Sequence, residues 1–226
     1  MGRLTPTRMS WRLIGWCALV VLMSALAYAA QLSSGPPEKD VAYQWSSSIL
    51  GAVQYAFMFG IVMLLTRGLD RRRFLALRPP RTTWWRAAGI GAGVLVAAFI
   101  VSAIVAQFAN AEREQGLIPE HWNSSRAAPF AAFCVLVVVI APIVEELLFR
   151  GVGYALLARF GQYTAVVLVG LSFALVHGLI AGFAVIAVFG AGLAYLRAKT
   201  DSIYPGMLLH ASFNAFGLAI GIATGG

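Results

Sequence analysis

The chain contains 226 residues, of which 60% are hydrophobic and 12% are charged, and its formal net charge is +8. Soluble domains carry about twice that share of charged residues. A soluble protein of this size could not bury so much apolar surface in one core, whereas a lipid-facing protein need not bury it. The composition therefore indicates an integral membrane protein and excludes a soluble domain, including one that binds nucleic acid through a basic face.

Seven apolar runs follow one another along the chain, and each has about the length of a transmembrane helix. Because an open sheet edge cannot be satisfied in lipid, the runs predict helices. The predicted fold is all-α, a polytopic transmembrane bundle of about seven helices. The runs are 11–30, 47–66, 85–108, 129–149, 163–178, 181–197 and 203–222. The first run is longer than a secretory signal core, which predicts a retained helix.

Basic residues are concentrated at one end of the predicted bundle. If the runs simply alternate in direction, one end receives three basic groups. They are Arg3, Arg8 and Arg12; Arg67, Arg71, Arg72, Arg73, Arg78, Arg81 and Arg86; and Arg197 with Lys199. The other end carries Lys39, Arg113 and Arg126 with most of the acids, Glu38, Asp40, Glu112, Glu114 and Glu120. The positive-inside rule then places the N-terminus in the cytoplasm. The abundance of Ala, Gly and Arg is typical of a GC-rich bacterial gene, and this favours a location in a bacterial inner membrane.

Two of the nine acidic residues, Glu145 and Glu146, lie inside an apolar run. A charged residue at the centre of a membrane helix costs about 2.5–3.5 kcal/mol on insertion scales, so an intramembrane pair indicates function. Of the three histidines, His121 lies in a predicted outer loop and is interpreted as a surface residue. His177 and His210 lie in apolar runs. Two buried glutamates and two buried histidines in one small bundle predict a shared site.

Helical spacing assigns roles within this predicted site. Glu146 and Arg150 are four residues apart, so they share a helix face and can form an ion pair. Glu145 is turned by about 100° from Glu146 and stays free for chemistry. His210 and Asn214 are also four residues apart. Their side chains supply two hydrogen-bond donors on one face, as a developing oxyanion requires.

Three motifs in this region resemble those of a known family. EELLFR at 145–150, FALVH at 173–177 and HASFN at 210–214 match the patterns EExxxR, FxxxH and HxxxN, in that order. These are the motifs of the CPBP family, the CAAX prenyl protease 2-like or abortive-infection membrane proteins. The resemblance covers roughly 130–222. Together with the apolar runs and the charge bias, it predicts three regions: a cytoplasmic tail at 1–10, N-terminal transmembrane helices and loops at 11–128, and a CPBP-like catalytic helical core at 129–222.

The resemblance implies a glutamate-dependent intramembrane endopeptidase. Glu145 would be the base that activates water, His177 would orient that water, and His210 and Asn214 would stabilise the oxyanion. Glu146, Arg150 and Phe173 would support the site. The implied partner is a membrane-anchored protein or peptide, cleaved near its C-terminal or leader segment within the lipid bilayer.

Zinc is the alternative cofactor, because the family also contains proteins described as zinc metalloproteases. Its ligands would be Glu145, Glu146, His177 and His210. No HExxH motif is present, and Glu146 has a predicted partner in Arg150, so the metal-free mechanism is favoured. A transporter with a buried proton relay and a non-catalytic membrane scaffold are further alternatives. A transporter predicts internal repeats, and none is found.

Overall fold

Seven long helices form the bundle, as a computed structural model shows for residues 6–33, 40–109 and 122–224. They are α1 (Pro6–Ser33), α2 (Trp45–Leu65), α3 (Trp84–Val105), α4 (Ser124–Phe160), α5 (Gln162–Val176), α6 (Phe183–Thr200) and α7 (Tyr204–Thr224). A single helical turn, Arg71–Phe74, lies between α2 and α3. The described residues form no strand. The predicted all-α fold is confirmed.

Six of these helices are long and apolar enough to cross a membrane, and the protein is an integral membrane protein. The exception, α5, has 15 residues, about 22 Å of helix, which is shorter than a bilayer core of about 30 Å. Six of the seven runs match their helices closely in position, α1 extending a few residues beyond its run at both ends. The run that differs from its helix is the fourth, because α4 extends to Phe160 instead of ending near 149. Arg150 does not end the helix, because it is buried and paired rather than exposed to water.

Helix α4 is the centre of the bundle and contacts α1, α2, α5, α6 and α7. It is not a regular α-helix throughout. Two stretches, Leu136–Ile140 and Glu146–Gly153, have π-helical hydrogen bonding, and every residue of the second stretch is buried. Wider π turns often occur at functional sites. Here the second one begins at the glutamate pair.

Glycines allow the helices around α4 to approach closely. At Gly170 of α5, an added Cβ would lie 2.6 Å from the backbone nitrogen of Ala191 in α6. At Gly153 of α4, a Cβ would lie 2.5 Å from the ring of Trp16 in α1. Small residues at such crossings are typical of membrane helix packing, where van der Waals contact replaces the hydrophobic effect.

The three basic groups that the sequence assigned to one end are connected to one another in the structure. Arg12 of α1 donates hydrogen bonds to the carbonyls of Leu65 (2.7 Å) and Arg67 (2.9 Å) at the end of α2. Arg81 donates its backbone N–H to the carbonyl of Thr200 at the end of α6 (2.8 Å). The bundle therefore has an arginine end. Of the predicted opposite end, Glu38, Lys39, Glu112, Arg113, Glu114, Glu120 and His121 lie outside the described residues, as do residues 1–5 of the N-terminal tail.

Asp201 anchors this arginine end at the turn between α6 and α7. Its carboxylate pairs with Arg78, with Arg81 (3.0 Å) and with Arg197 (2.9 Å). Burial alone would raise the pKa of Asp201, but hydrogen bonds from Arg78 and the charge of Arg197 outweigh it and lower that pKa. The connection between α2 and α3 is thus fixed to the start of α7.

The close crossing of α5 and α6 gives a test of the packing. Gly170→Ala should lower the melting temperature of the purified protein in detergent, because the new methyl group meets the backbone of Ala191. Overpacking of this kind costs about 1–3 kcal/mol. Gly93→Ala in α3 is the matched control, since nothing lies within 4 Å of a Cβ there. Equal melting temperatures for the two variants would contradict the observed crossing.

Candidate active site

The two glutamates lie in different surroundings although they are adjacent. Glu145 ends an α-helical stretch of α4 and is 8% exposed, whereas Glu146 begins the π-helical stretch and is 0% exposed. The fully buried carboxylate needs a permanent partner, because an isolated charge in a dry interior is very costly. The slightly exposed carboxylate can meet a small molecule such as water.

Arg150 is the partner of Glu146, as the sequence predicts. Its Nη1 donates to Oε1 of Glu146 at 2.8 Å, and its Nη2 donates to the carbonyl of Gly190 in α6, also at 2.8 Å. The guanidinium carbon lies 4.3 Å from the centre of the Phe173 ring, which adds a cation–π contact. Arg150 therefore joins α4, α5 and α6 around one buried ion pair.

His210 of α7 lies between the two glutamates. Its Nδ1 is 3.3 Å from Oε1 of Glu146, and its Nε2 is 3.6 Å from Oε2 of Glu145. A carboxylate oxygen accepts hydrogen bonds and cannot donate one, so each contact requires a proton on the imidazole nitrogen or on the carboxyl. The four groups form an ionic cluster, defined as Glu145, Glu146, Arg150 and His210. Sequence counting did not align His210 with the glutamates, but the structure brings it to both.

His177 has a defined tautomer at the end of α5. Its backbone N–H bonds to the carbonyl of Ala174, which leaves the carbonyl of Phe173 without a backbone donor. The Nδ1 of His177 lies 2.6 Å from that carbonyl oxygen and must donate to it. The other ring nitrogen, Nε2, is then the one available to accept a hydrogen bond from outside the helix.

The ring of Phe173 contacts both histidines and Arg150. It makes edge contacts with His177 at 4.5 Å and with His210 at 5.6 Å between ring centres. Since Arg150 covers its face, Phe173 holds both histidines and the arginine in fixed relative positions. The predicted supporting residues Glu146, Arg150 and Phe173 thus all lie together at the site.

Asn214 has a partner that its spacing from His210 did not indicate. Its Nδ2 donates to the carbonyl of Val137 at 2.8 Å. In this π turn the N–H of Ala141 bonds to the carbonyl of Leu136. The next residue in that pattern is Pro142, which has no N–H, so the carbonyl of Val137 is left for Asn214. The second amide hydrogen and Oδ1 of Asn214 are not used in this bond.

Two residues at the site were missed by the sequence analysis. The hydroxyl of Tyr55 in α2 donates to Oε1 of Glu145 at 2.8 Å. The sequence contains a signal for Tyr55: tyrosines in membrane proteins gather at the interfaces, whereas Tyr55 lies in the middle of a span. Gly206 of α7 is the second, since a Cβ there would lie 2.7 Å from Oε2 of Glu146. No sequence pattern distinguishes Gly206 from an ordinary packing glycine.

Glu146, one of the four residues named as alternative zinc ligands, is already paired with Arg150. Among the residues that the structure describes, no group of three or more His, Cys, Asp or Glu side chains is arranged to hold a metal ion. Oε1 of Glu146 already accepts a hydrogen bond from Arg150 and faces His210. A zinc ion bound there would lie beside a guanidinium cation, which opposes its binding.

A family model described as "Rce1-like: Type II CAAX prenyl endopeptidase Rce1-like" matches residues 127–216, less than half of the chain but a region that contains every site residue predicted from the sequence. No curated protein and no solved structure matches. Tyr55 lies outside the matched region. The resemblance seen in the three motifs is confirmed, since residues 127–216 are similar to the Rce1-like family of type II CAAX prenyl endopeptidases.

Proposed function

We propose that this protein is an intramembrane endopeptidase in which Glu145 activates the attacking water. The family match supports a CAAX-type membrane protease. The observation that carries the role of Glu145 is the asymmetry of the glutamate pair. Glu146 is fully buried and bound by Arg150, whereas Glu145 is slightly exposed and is held by a tyrosine hydroxyl.

The proposed reaction uses the free side of Glu145. Tyr55 occupies Oε1, so Oε2 accepts a proton from water as the hydroxide adds to the carbonyl carbon of the scissile peptide. His177 accepts a hydrogen bond from this water through Nε2 and orients it. Donors from His210 and Asn214 stabilise the oxyanion. Glu145 then returns its proton to the leaving amine as the C–N bond breaks.

The ionic cluster supports a mechanism without a metal. Arg150 supplies the positive charge that balances Glu146, and His210 lies beside both carboxylates, 3.3 Å from Oε1 of Glu146 and 3.6 Å from Oε2 of Glu145. A resident zinc ion would have to displace these contacts before it could bind the same carboxylates.

The proposed substrate is a protein or peptide anchored in the membrane. The site lies at the middle of α2, where a soluble peptide would have to cross part of the bilayer to reach Tyr55. Cleavage near a C-terminal or leader segment suits this depth. We further propose that the arginine end faces the cytoplasm of a bacterial inner membrane, since the connected basic groups follow the positive-inside rule.

The role of Glu145 is tested by cleavage of a membrane-anchored reporter peptide by purified protein. Glu145→Gln keeps the side-chain shape but removes the base, so kcat/KM should fall by about 10²–10⁴. Asp40→Asn is the matched acid-to-amide control and should cleave like wild type. Asn tolerates the left-handed backbone of Asp40, and that side chain makes no capping bond. Cleavage by Glu145→Gln at the wild-type rate would overturn the proposal.

Tyr55→Phe tests the orientation of Glu145. Loss of a hydrogen bond to a charged group is worth about 1.5–3 kcal/mol, so kcat should fall by roughly ten-fold to a hundred-fold. KM should change little, because Tyr55 contacts Glu145 and not the reacting bond, whereas the melting temperature should fall because the same hydrogen bond stabilises the fold. Tyr43→Phe is the control, as its hydroxyl accepts from the backbone N–H of Asn123 far along the sequence from the site. A rise in KM with unchanged kcat would instead make Tyr55 a substrate-binding residue.

A further inference from the structure

The arginines at the arginine end fall into two classes. One class bonds within the protein. Arg71 donates to Thr66 (3.1 Å) and to the carbonyl of Met63 (3.3 Å), and Arg78 binds Asp201. The other class is exposed, and its guanidinium groups make no hydrogen bond or ion pair with the described residues; it includes Arg72 and Arg73. Neither of these two is needed to hold the fold.

Arg72 and Arg73 line one cleft. This cleft is open to its surroundings, has a volume of about 220 Å³ and is also lined by Arg78 and Asp70. Three guanidinium groups face one carboxylate there, so the cleft is positive. Asp70 is partly engaged, since its Oδ1 accepts from the backbone N–H of Arg73 at 3.2 Å and caps the single turn Arg71–Phe74. The volume is below that of a site for a drug-sized molecule, which begins near ~300 Å³, and suits a small polar group.

Tryptophans show the depth of this cleft relative to the membrane. Trp84 and Trp85, at the first turn of α3, are 50% and 88% exposed, and Trp11 of α1 is 43% exposed. Tryptophan gathers at the level of lipid headgroups, where its ring meets the acyl region and its N–H meets water. The connection that carries the cleft joins α2 to α3 and therefore lies at this level.

We propose that the cleft binds the headgroup of an anionic phospholipid, with phosphatidylglycerol as the ligand. Arg72 and Arg73 would hold the phosphate through paired N–H donors, the geometry in which arginine surpasses lysine. The second oxygen of Asp70 accepts a hydrogen bond from a headgroup hydroxyl. A headgroup with its own carboxylate would be repelled by Asp70, so glycerol is favoured over serine.

Occupancy of this cleft would reach the active-site helices through Arg78. The same guanidinium that lines the cleft binds Asp201, at the turn that begins α7. A bound headgroup thus ties the connection between α2 and α3 more firmly to the helix that carries His210. The binding proposal itself does not depend on the proposed peptidase activity.

Native mass spectrometry of the detergent-purified full chain tests the proposal, with phosphatidylglycerol and phosphatidylcholine as probes. Wild type should bind phosphatidylglycerol at least ~10-fold more tightly than phosphatidylcholine. Arg72→Gln with Arg73→Gln should weaken phosphatidylglycerol binding by roughly five-fold per arginine. Arg67→Gln with Arg86→Gln is the control, because it removes the same charge from exposed positions at the same arginine end but outside the cleft. It should change binding by less than about two-fold.

Each other outcome overturns a stated part of the proposal. Equal weakening by both double variants would mean diffuse attraction to a basic surface and no cleft site. Equal binding of the two lipids would exclude headgroup recognition. Displacement of phosphatidylglycerol by millimolar inorganic phosphate would make free phosphate the ligand. Arg72→Lys with Arg73→Lys keeps the charge and should give intermediate binding, so it decides the case if the glutamine variant does not elute as a single species.

Discussion

The buried ion pair between Glu146 and Arg150 is the contact on which the rest of the site depends. Both side chains are completely buried, and removal of one partner from such a pair costs about 3–5 kcal/mol. Because Arg150 also binds the carbonyl of Gly190 and covers Phe173, the same contact fixes α5 and α6 against α4. Phe173 in turn positions the histidines, so the geometry of the site follows from how one buried charge is neutralised.

The ionic cluster also gives the two adjacent glutamates different surroundings, on which the different functions proposed for them rest. Glu146 is committed to Arg150 and provides a fixed negative charge that His210 faces. His210 then presents its other nitrogen to Glu145, which Tyr55 orients from α2. Helices α2, α4 and α7 therefore converge on a single carboxylate. The chemistry proposed for Glu145 requires all three helices to keep their positions, which agrees with the close glycine contacts and the Asp201 anchor.

Much of this arrangement could be predicted from the sequence, because charged residues inside apolar runs have few permitted partners. The four-residue spacing alone predicted the pair Glu146–Arg150, and the composition predicted the membrane fold. Counting residues could not place His210 of α7 beside the glutamates, since the π turns change the register of α4, the helix that carries Glu145 and Glu146. The bond from Asn214 to Val137 depends on the missing N–H of Pro142 within such a turn. Tyr55 lies outside the motifs and is recognised only by its contact with Glu145.

The most direct measurement of the central claim is the metal dependence of peptide cleavage by wild-type protein. Purified protein would be assayed for bound zinc by elemental analysis, and its kcat/KM would be measured before and after dialysis against a strong chelator. A glutamate mechanism supported by Arg150 and His210 predicts substoichiometric zinc and unchanged kcat/KM. Activity that is lost on chelation and restored by one equivalent of zinc would contradict it, and would make the glutamates and histidines metal ligands.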